Sequence, residues 1–191
     1  MTSQPASTSR LPSRQRILAA ACEAFAQNSY ETVGLREIAA RAGVDVAQAH
    51  RSFGSKLELF NEAFRSAIRA DMEVLRDCDD LAATMAEMLL ARRAAVPGKL
   101  GAGLSILLHS VASPEAMAAL RQVANTEFLD PLRGRRDSGG REGVVLAAAF
   151  LAGLGIAFQV LEFDALDGAD RETFKRRVVS ILRTITAGDT A

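Results

Sequence analysis

An all-α fold follows from the composition of this 191-residue chain and the spacing of its apolar residues, and its charge shifts mildly from head to body. Apolar residues make up 49%, rich in alanine and leucine, with few aromatics and no tryptophan, a balance that favours helices over strands. Apolar positions recur three and four residues apart, the mark of amphipathic helices. Residues 1–56 hold seven Lys/Arg against four Asp/Glu, and residues 57–191 hold sixteen against nineteen. Formal net charge is zero, so bulk charge names no partner, but a mildly basic head on a mildly acidic body suits an N-terminus that faces nucleic acid. The length suffices for a real core, as one domain or as a small one plus a larger one.

Taken in order, residues 1–13 are Ser-, Thr- and Pro-rich and read as a disordered arm, and Arg10, Arg14 and Arg16 either track phosphate or a minor groove or are simply solvated. The first helix is predicted from about Arg14 to Asn28, burying Ile17, Ala21, Ala24 and Phe25, with Tyr30 packed beneath. From Gly34 to Phe53 the chain reads as two short helices around a tight turn. Leu35, Ile38 and Ala39 share a face of the first, with Gly34 at the N-cap and Glu37 as the returning acid. Gly43 can adopt positive φ and end it, and Asp45 with Gln48 makes a capping box for the second. Val44, Ala49 and Phe53 turn inward, while Val46, Ala47, Gln48, His50 and Arg51 point outward. This is a helix-turn-helix whose second helix is shaped for a major groove. Small Ala39 lets the two helices cross closely.

Ser55 caps a long helix through Phe60, Phe64, Ile68 and Leu75, and a polar break follows from Asp77 to Asp80. A helix carrying Leu81, Met85, Met88 and Leu89 is ended by Pro97-Gly98. Leu100 to Val111 is a short apolar helix, and Ser113-Pro114 starts another that runs to about Asp130. Pro131 to Gly140 is read as a loop. Arg141 to Phe163 is the most apolar stretch, just long enough to span a membrane, but alanine and glycine supply much of it and Gln159 interrupts it. No membrane is expected as a partner. Gly153 weakens that helix by about 1 kcal/mol relative to alanine, a cost offset if another helix approaches closely along Ala149 and Gly153. Asp170 to Thr186 closes the chain with Phe174, Val178, Ile181, Leu182 and Ile185 on one apolar face.

From Arg14 to Phe64 the chain resembles the DNA-binding domain of the TetR family of bacterial transcription regulators. The resemblance is carried by Ile17-Leu18-Ala19-Ala20, Phe25, Tyr30, Ile38-Ala39, Ala42-Gly43-Val44, Phe53-Gly54-Ser55-Lys56 and Leu59-Phe60. It implies an arm over 1–13, a DNA-binding domain over 14–56 with the helix-turn-helix at about 34–53, and a ligand-binding and dimerisation domain over 57–191. The chain departs from the family at Ser29, where glycine is usual, near Val33 and Gly34, and at Val46 and His50, usually polar and tyrosine. Those last two positions commonly touch DNA in relatives.

The resemblance and the helical reading together give a DNA-binding set of Arg36, Asp45, Val46, Ala47, Gln48, His50, Arg51 and Lys56. Gln48 suits an adenine edge, Arg51 a guanine or phosphate, and Val46 with Ala47 a thymine methyl, while Arg36 matches a family position that can reach a guanine. Lys56, with the free N–H groups of its helix start, suits a phosphate. The family's pocket for a small molecule lies among helices corresponding to Ser55–Asp130. There Met72, Met85, Met88 and Leu108, with Leu107, Met117 and Phe128, are candidates to line an apolar cavity, and His109 and Asn125 to orient its ligand. The family's last two long helices pair with a second subunit, which implies a homodimer through Ala149, Gly153, Phe174, Val178 and Ile181 and an inverted-repeat operator in double-stranded DNA. A ligand-released repressor is expected. The alternative is a helical dimer that binds a ligand or protein and whose head has lost specific DNA binding.

No cofactor or metal is expected, and no enzyme: carboxylate cluster, serine elbow, phosphate loop and zinc spacing are all missing from the sequence. Cys22 and Cys78 lack pair or metal spacing and read as reduced thiols. The N-terminus carries no apolar signal-peptide core, so a cytoplasmic location is expected.

Overall fold

The computed structural model describes residues 11–95, 101–161, 163 and 170–187, and every regular element among them is helical. These are α1 (Ser13–Gln27), α2 (Leu35–Ala42), α3 (Val46–Phe53), α4 (Lys56–Asp77), α5 (Leu81–Ala95), α6 (Ala102–Ser110), α7 (Pro114–Val123), a π-helical turn (Ala124–Leu129), α8 (Asp130–Arg133), α9 (Gly140–Gln159) and α10 (Arg171–Thr186). They form two compact units, one of residues up to 67 with 105–120, the other of 68–104 with residues from 121 on. Arg10, Pro97, Gly98 and Leu100 lie outside the described residues.

In the first unit, α1 packs on α2 and α3, and it buries the stripe its periodicity predicts: Ile17, Ala21, Ala24 and Phe25 have no exposure. Tyr30 closes that core, its ring 4.9 Å from the Phe60 ring, which lies edge-on to Phe25 at the same distance. Full burial of a side chain such as Phe25 or Phe60 contributes about 1.5–3 kcal/mol. The first half of α4 belongs here through Leu59, Phe60, Ala63 and Phe64.

The second unit gathers α5, α9 and α10 around Leu81, Met85, Leu132, Val144, Val178 and Leu182. Asp80 caps α5 by accepting the Ala83 N–H at 3.0 Å and pairs with Arg183 of α10 at 2.6 Å. Lys175 of α10 pairs with Glu87 of α5. At Gly143 a Cβ would stand 2.2 Å from the Ser138 carbonyl oxygen and 3.3 Å from that of Ile185, so only glycine fits where α9 passes these two backbones.

One expectation needs correction. The segment from Pro131 is not loop throughout, because α7 runs on through the π turn into α8 and ends at Gly134. A π turn ahead of a proline shifts the carbonyls the ring would strike in an unbroken α-helix, and it satisfies the backbone there by longer bonds. Beyond it, Arg135 makes the connection specific. It pairs with Asp137 at 2.9 Å and donates to the carbonyls of Arg76 at 2.9 Å and Cys78 at 2.8 Å, while Asp137 accepts the Leu81 N–H at 2.8 Å. That bond to Arg135 holds the Asp137 carboxyl below the usual carboxylate range. The apolar stretch from Arg141 forms α9, which ends at Gln159. It is long and apolar enough to cross a membrane, yet it packs on α5, α8 and α10 within its unit. A Cβ placed on Gly153 meets nothing within 4 Å among the described residues, so that side of α9 is open within the chain.

Candidate nucleic-acid interface

Local chemistry builds the head. Gly34 precedes α2 in extended backbone without a side-chain cap, and Glu37 turns to Arg41 at 2.6 Å rather than back to the N-terminus. A four-residue spacing favours that pair over a box that glycine cannot complete. Gly43 sits at φ 64°, ψ 42°, and the Val44 N–H reaches the Ala39 carbonyl at 3.0 Å, the left-handed stop expected. Asp45 then caps α3, its carboxylate accepting the Gln48 N–H at 2.8 Å. Ala49 and Phe53 are buried, Ala39 is 2% exposed, and α2 packs on α3 with little between them.

The outward face of α3 presents Ala47, His50 and Arg51 fully, while Val46 and Gln48 are half-buried. His50 is less free than the sequence suggests. Its Nδ1 lies 2.9 Å from the Gly54 carbonyl oxygen, and a carbonyl only accepts, so Nδ1 carries the hydrogen and Nε2 is left as an acceptor in the neutral ring. Arg36, at the start of α2, and Arg51 are exposed and have no carboxylate partner among the described residues. Arg14 is committed elsewhere, its guanidinium 4.4 Å from the Phe53 ring centroid.

The start of α4 differs from expectation. Ser55 and Glu58 form a complete capping box: Glu58 N–H donates to Ser55 Oγ at 3.1 Å, and Ser55 N–H to Glu58 Oε2 at 2.9 Å. Two N–H groups expected to be free for a phosphate are therefore taken, and a carboxylate stands at that end. Lys56 is half-buried with its Nζ 4.2 Å from the Tyr30 ring centroid, an ammonium stacked on an aromatic face. A three-residue serine-to-glutamate spacing was the signal in the sequence for this box.

The remaining candidates divide. Met72 and Met85 are 2% and 3% exposed, in the second unit's core. Met88 and Phe128 are partly buried against that core, and Leu107, Leu108 and Met117 are half-buried in the first unit. His109 is exposed and bonded to the Ser105 carbonyl, and Asn125 holds Arg141 at 2.7 Å. Three buried polar atoms of the first unit, Arg16 Nε, Asn61 Oδ1 and Ser110 Oγ, lack a hydrogen-bond partner among the described residues, and no local sequence pattern announces them. An open groove along α10, lined by Lys175, Val179, Arg183 and Thr184, has charged walls unlike the apolar cavity expected. Of the residues expected at a dimer interface, Val178 is 2% exposed and covered within its own unit. Phe174 is half-buried against Phe158, whereas Ala149, Gly153 and Ile181 are exposed. Burial raises the Cys22 thiol above its usual range, and its Sγ donates to the Ala63 carbonyl, both of which disfavour a reactive thiolate.

A capped, outward-facing second helix behind a left-handed glycine turn, with unpaired arginines beside it, defines a helix-turn-helix DNA-binding regulator. Residues 17–63 match the family description "Bacterial regulatory proteins, tetR family", and residues 79–185 match "Tetracyclin repressor-like, C-terminal domain". The chain belongs to the TetR family of bacterial transcription regulators. Among curated proteins none matches it in sequence. Solved structures share its fold. The fatty acid degradation regulator FadR from Bacillus halodurans is 14% identical with a TM-score of 0.63, over 88% of this chain and 97% of that one. NalD, the secondary repressor of the MexAB-OprM multidrug efflux pump in Pseudomonas aeruginosa, is 20% identical with a TM-score of 0.60, over 93% and 97%. The multidrug binding protein EbrR complexed with ethidium is 24% identical with a TM-score of 0.59, over 90% and 98%.

Proposed function

We propose that this chain is a cytoplasmic, ligand-released repressor, a homodimer that sets one α3 into each of two successive major grooves of an inverted-repeat operator. The observation that carries the reading is the pair of exposed arginines, Arg36 and Arg51, flanking the outward face of α3 with no carboxylate partner among the described residues. Within it, Arg36, Gln48, Ala47 and Val46 read base edges, Arg51 and His50 complete the face, Asp45 orients α3, and Lys56 contacts a phosphate. The exposed Val145, Leu146, Ala149, Gly153 and Ile181 of α9 and α10 support a second copy as the partner of that face. Exposed apolar side chains are costly in a monomer once they form a contiguous patch.

The ligand is proposed to be small and largely apolar, with a polar group to satisfy Asn61 or Ser110. EbrR bound to ethidium and proflavin, and NalD as repressor of a multidrug efflux pump, make such a ligand a reasonable first screen. Binding would favour a conformation in which the two heads no longer fit both half-sites, so ligand and operator must weaken one another by the same factor. Selection of bound fragments from the host genome tests the DNA reading. An inverted repeat is expected to enrich, and failure to enrich any site over a wide salt range would leave a ligand-binding dimer without specific DNA recognition. Equal ligand affinity with and without operator would remove the coupling.

A further inference from the structure

The turn that leads into α2 is tied to a residue 82 positions further along the chain. Within that turn the N–H groups of Thr32 and Val33 both donate to the Ser29 carbonyl, at 3.1 and 3.3 Å. Glu31, at its tip, accepts the O–H of Ser113 at 2.5 Å. Ser113 is 2% exposed, stands immediately before α7, and its Oγ also accepts the Ala116 N–H at 3.4 Å. Its hydroxyl thus donates to one element and caps another. Beside this bond the Glu115 carboxylate, in the first turn of α7, stands against the hydroxyl of Tyr30, which is 3% exposed. Burial, first, and Glu115 push that phenol up to about 12, so it stays protonated and able to donate. The Tyr30 ring carries the Lys56 ammonium in turn.

Two consecutive residues of the turn, Tyr30 and Glu31, therefore meet two residues at the start of α7, Ser113 and Glu115. Residues 105–120 fall in the same compact unit as α1, α2 and α3, although the C-terminal family description spans 79–185. We propose that Glu31 and Ser113 are positioning residues that latch the α6–α7 corner to the DNA-reading head, so that displacing this corner loosens α2 and α3 from the operator. The proposal rests on the DNA-reading role given to α3 above. A bond between a hydroxyl and a carboxylate is stronger than one between neutral groups, and this one lies three residues ahead of Gly34, where α2 is set. Loss of the bond frees the turn without removing any apolar side chain from the head's core.

The test uses the full chain and four variants: Ser113→Ala, Glu31→Ala, the two together, and Glu31→Gln, whose amide oxygen still accepts the Ser113 O–H. Glu31→Ala leaves the Ser113 cap on α7 in place. Hydrogen exchange is expected to quicken about tenfold at amides of residues 30–42 in each alanine variant and to stay unchanged in α5, α9 and α10. Affinity for the selected operator should fall by a similar factor, the double variant should be no worse than the weaker single one, and Glu31→Gln should recover most of the loss. Unchanged exchange in α2, or effects of the two residues that simply add, would overturn the latch. Should the wild-type chain select no operator, the DNA reading fails, while the exchange measurement still decides for or against the latch.

Discussion

The head and the α9–α10 face differ in what they leave exposed. Three cations of α9 and α10 have side-chain partners: Lys175 meets Glu87, Arg183 meets Asp80, and Arg141 reaches Asp130 and Asn125. What stands exposed there is apolar, with Val145 43%, Leu146 48% and Ile181 44% accessible. In the head, by contrast, the apolar side chains are spent inward on Ile17, Phe25, Ile38, Ala49 and Phe60, while Arg36 and Arg51 face solvent without an acid. A protein that needed both surfaces only for its own stability would have little reason to distribute them so. Unpaired cations beside a helix suit phosphate and base edges, and uncharged apolar surface suits a second copy of the chain.

The comparison breaks most visibly at the α9 face. Val145→Asp together with Leu146→Asp should leave the fold intact, since both side chains are exposed, yet convert the chain to a monomer by sedimentation. Operator affinity should then drop by about 10² or more, because the two heads no longer bind as one unit. A dimer that survives both changes places the interface elsewhere. Next come the base contacts. Arg36→Ala and Gln48→Ala should each cost about 1–3 kcal/mol in discrimination between operator and mismatched sites, measured by competition titration. Lys56→Ala should act more mildly, weakening all DNA alike and reducing the slope of log affinity against log salt by about one. If Arg36→Ala behaves as Lys56→Ala does, Arg36 touches phosphate rather than bases.

The smallest effect concerns acid. Arg135 holds the Asp137 carboxyl below its ordinary range, with the Leu81 N–H helping. A depressed value means the fold favours the ionised form, so the contribution is complete above the ordinary carboxylate range of about 4 and is lost as pH falls through the lowered value. Asp137→Asn should accordingly lower the thermal midpoint at pH 7 and narrow the difference between pH 7 and pH 3. Asp137 is partly exposed, so solvent screening keeps the change small.

Local rules made the head legible before any coordinates. Gly43, Asp45, Ser55 and the buried stripe of α1 each follow from backbone sterics, capping or periodicity, and these act over a few residues. Long-range choices were not legible. Nothing near Glu31 announces that Ser113 will meet it, and nothing near Val178 distinguishes a side chain buried within the subunit from one buried between subunits. Pro131, too, reads as a helix stop unless the π turn before it is known. At Lys56 the sequence supplied the right residue but not its neighbours: a complete Ser55–Glu58 box and the Tyr30 ring occupy much of what was expected to be an open anion site.

The assignment of the two faces can be tested in one step, by the mass in solution of the complex formed on the DNA that the chain itself selects. Two chains bound to one inverted repeat, with the half-sites about one helical turn apart, is the result the account predicts. One chain per duplex, or a stoichiometry that rises with DNA length without regard to sequence, would contradict it.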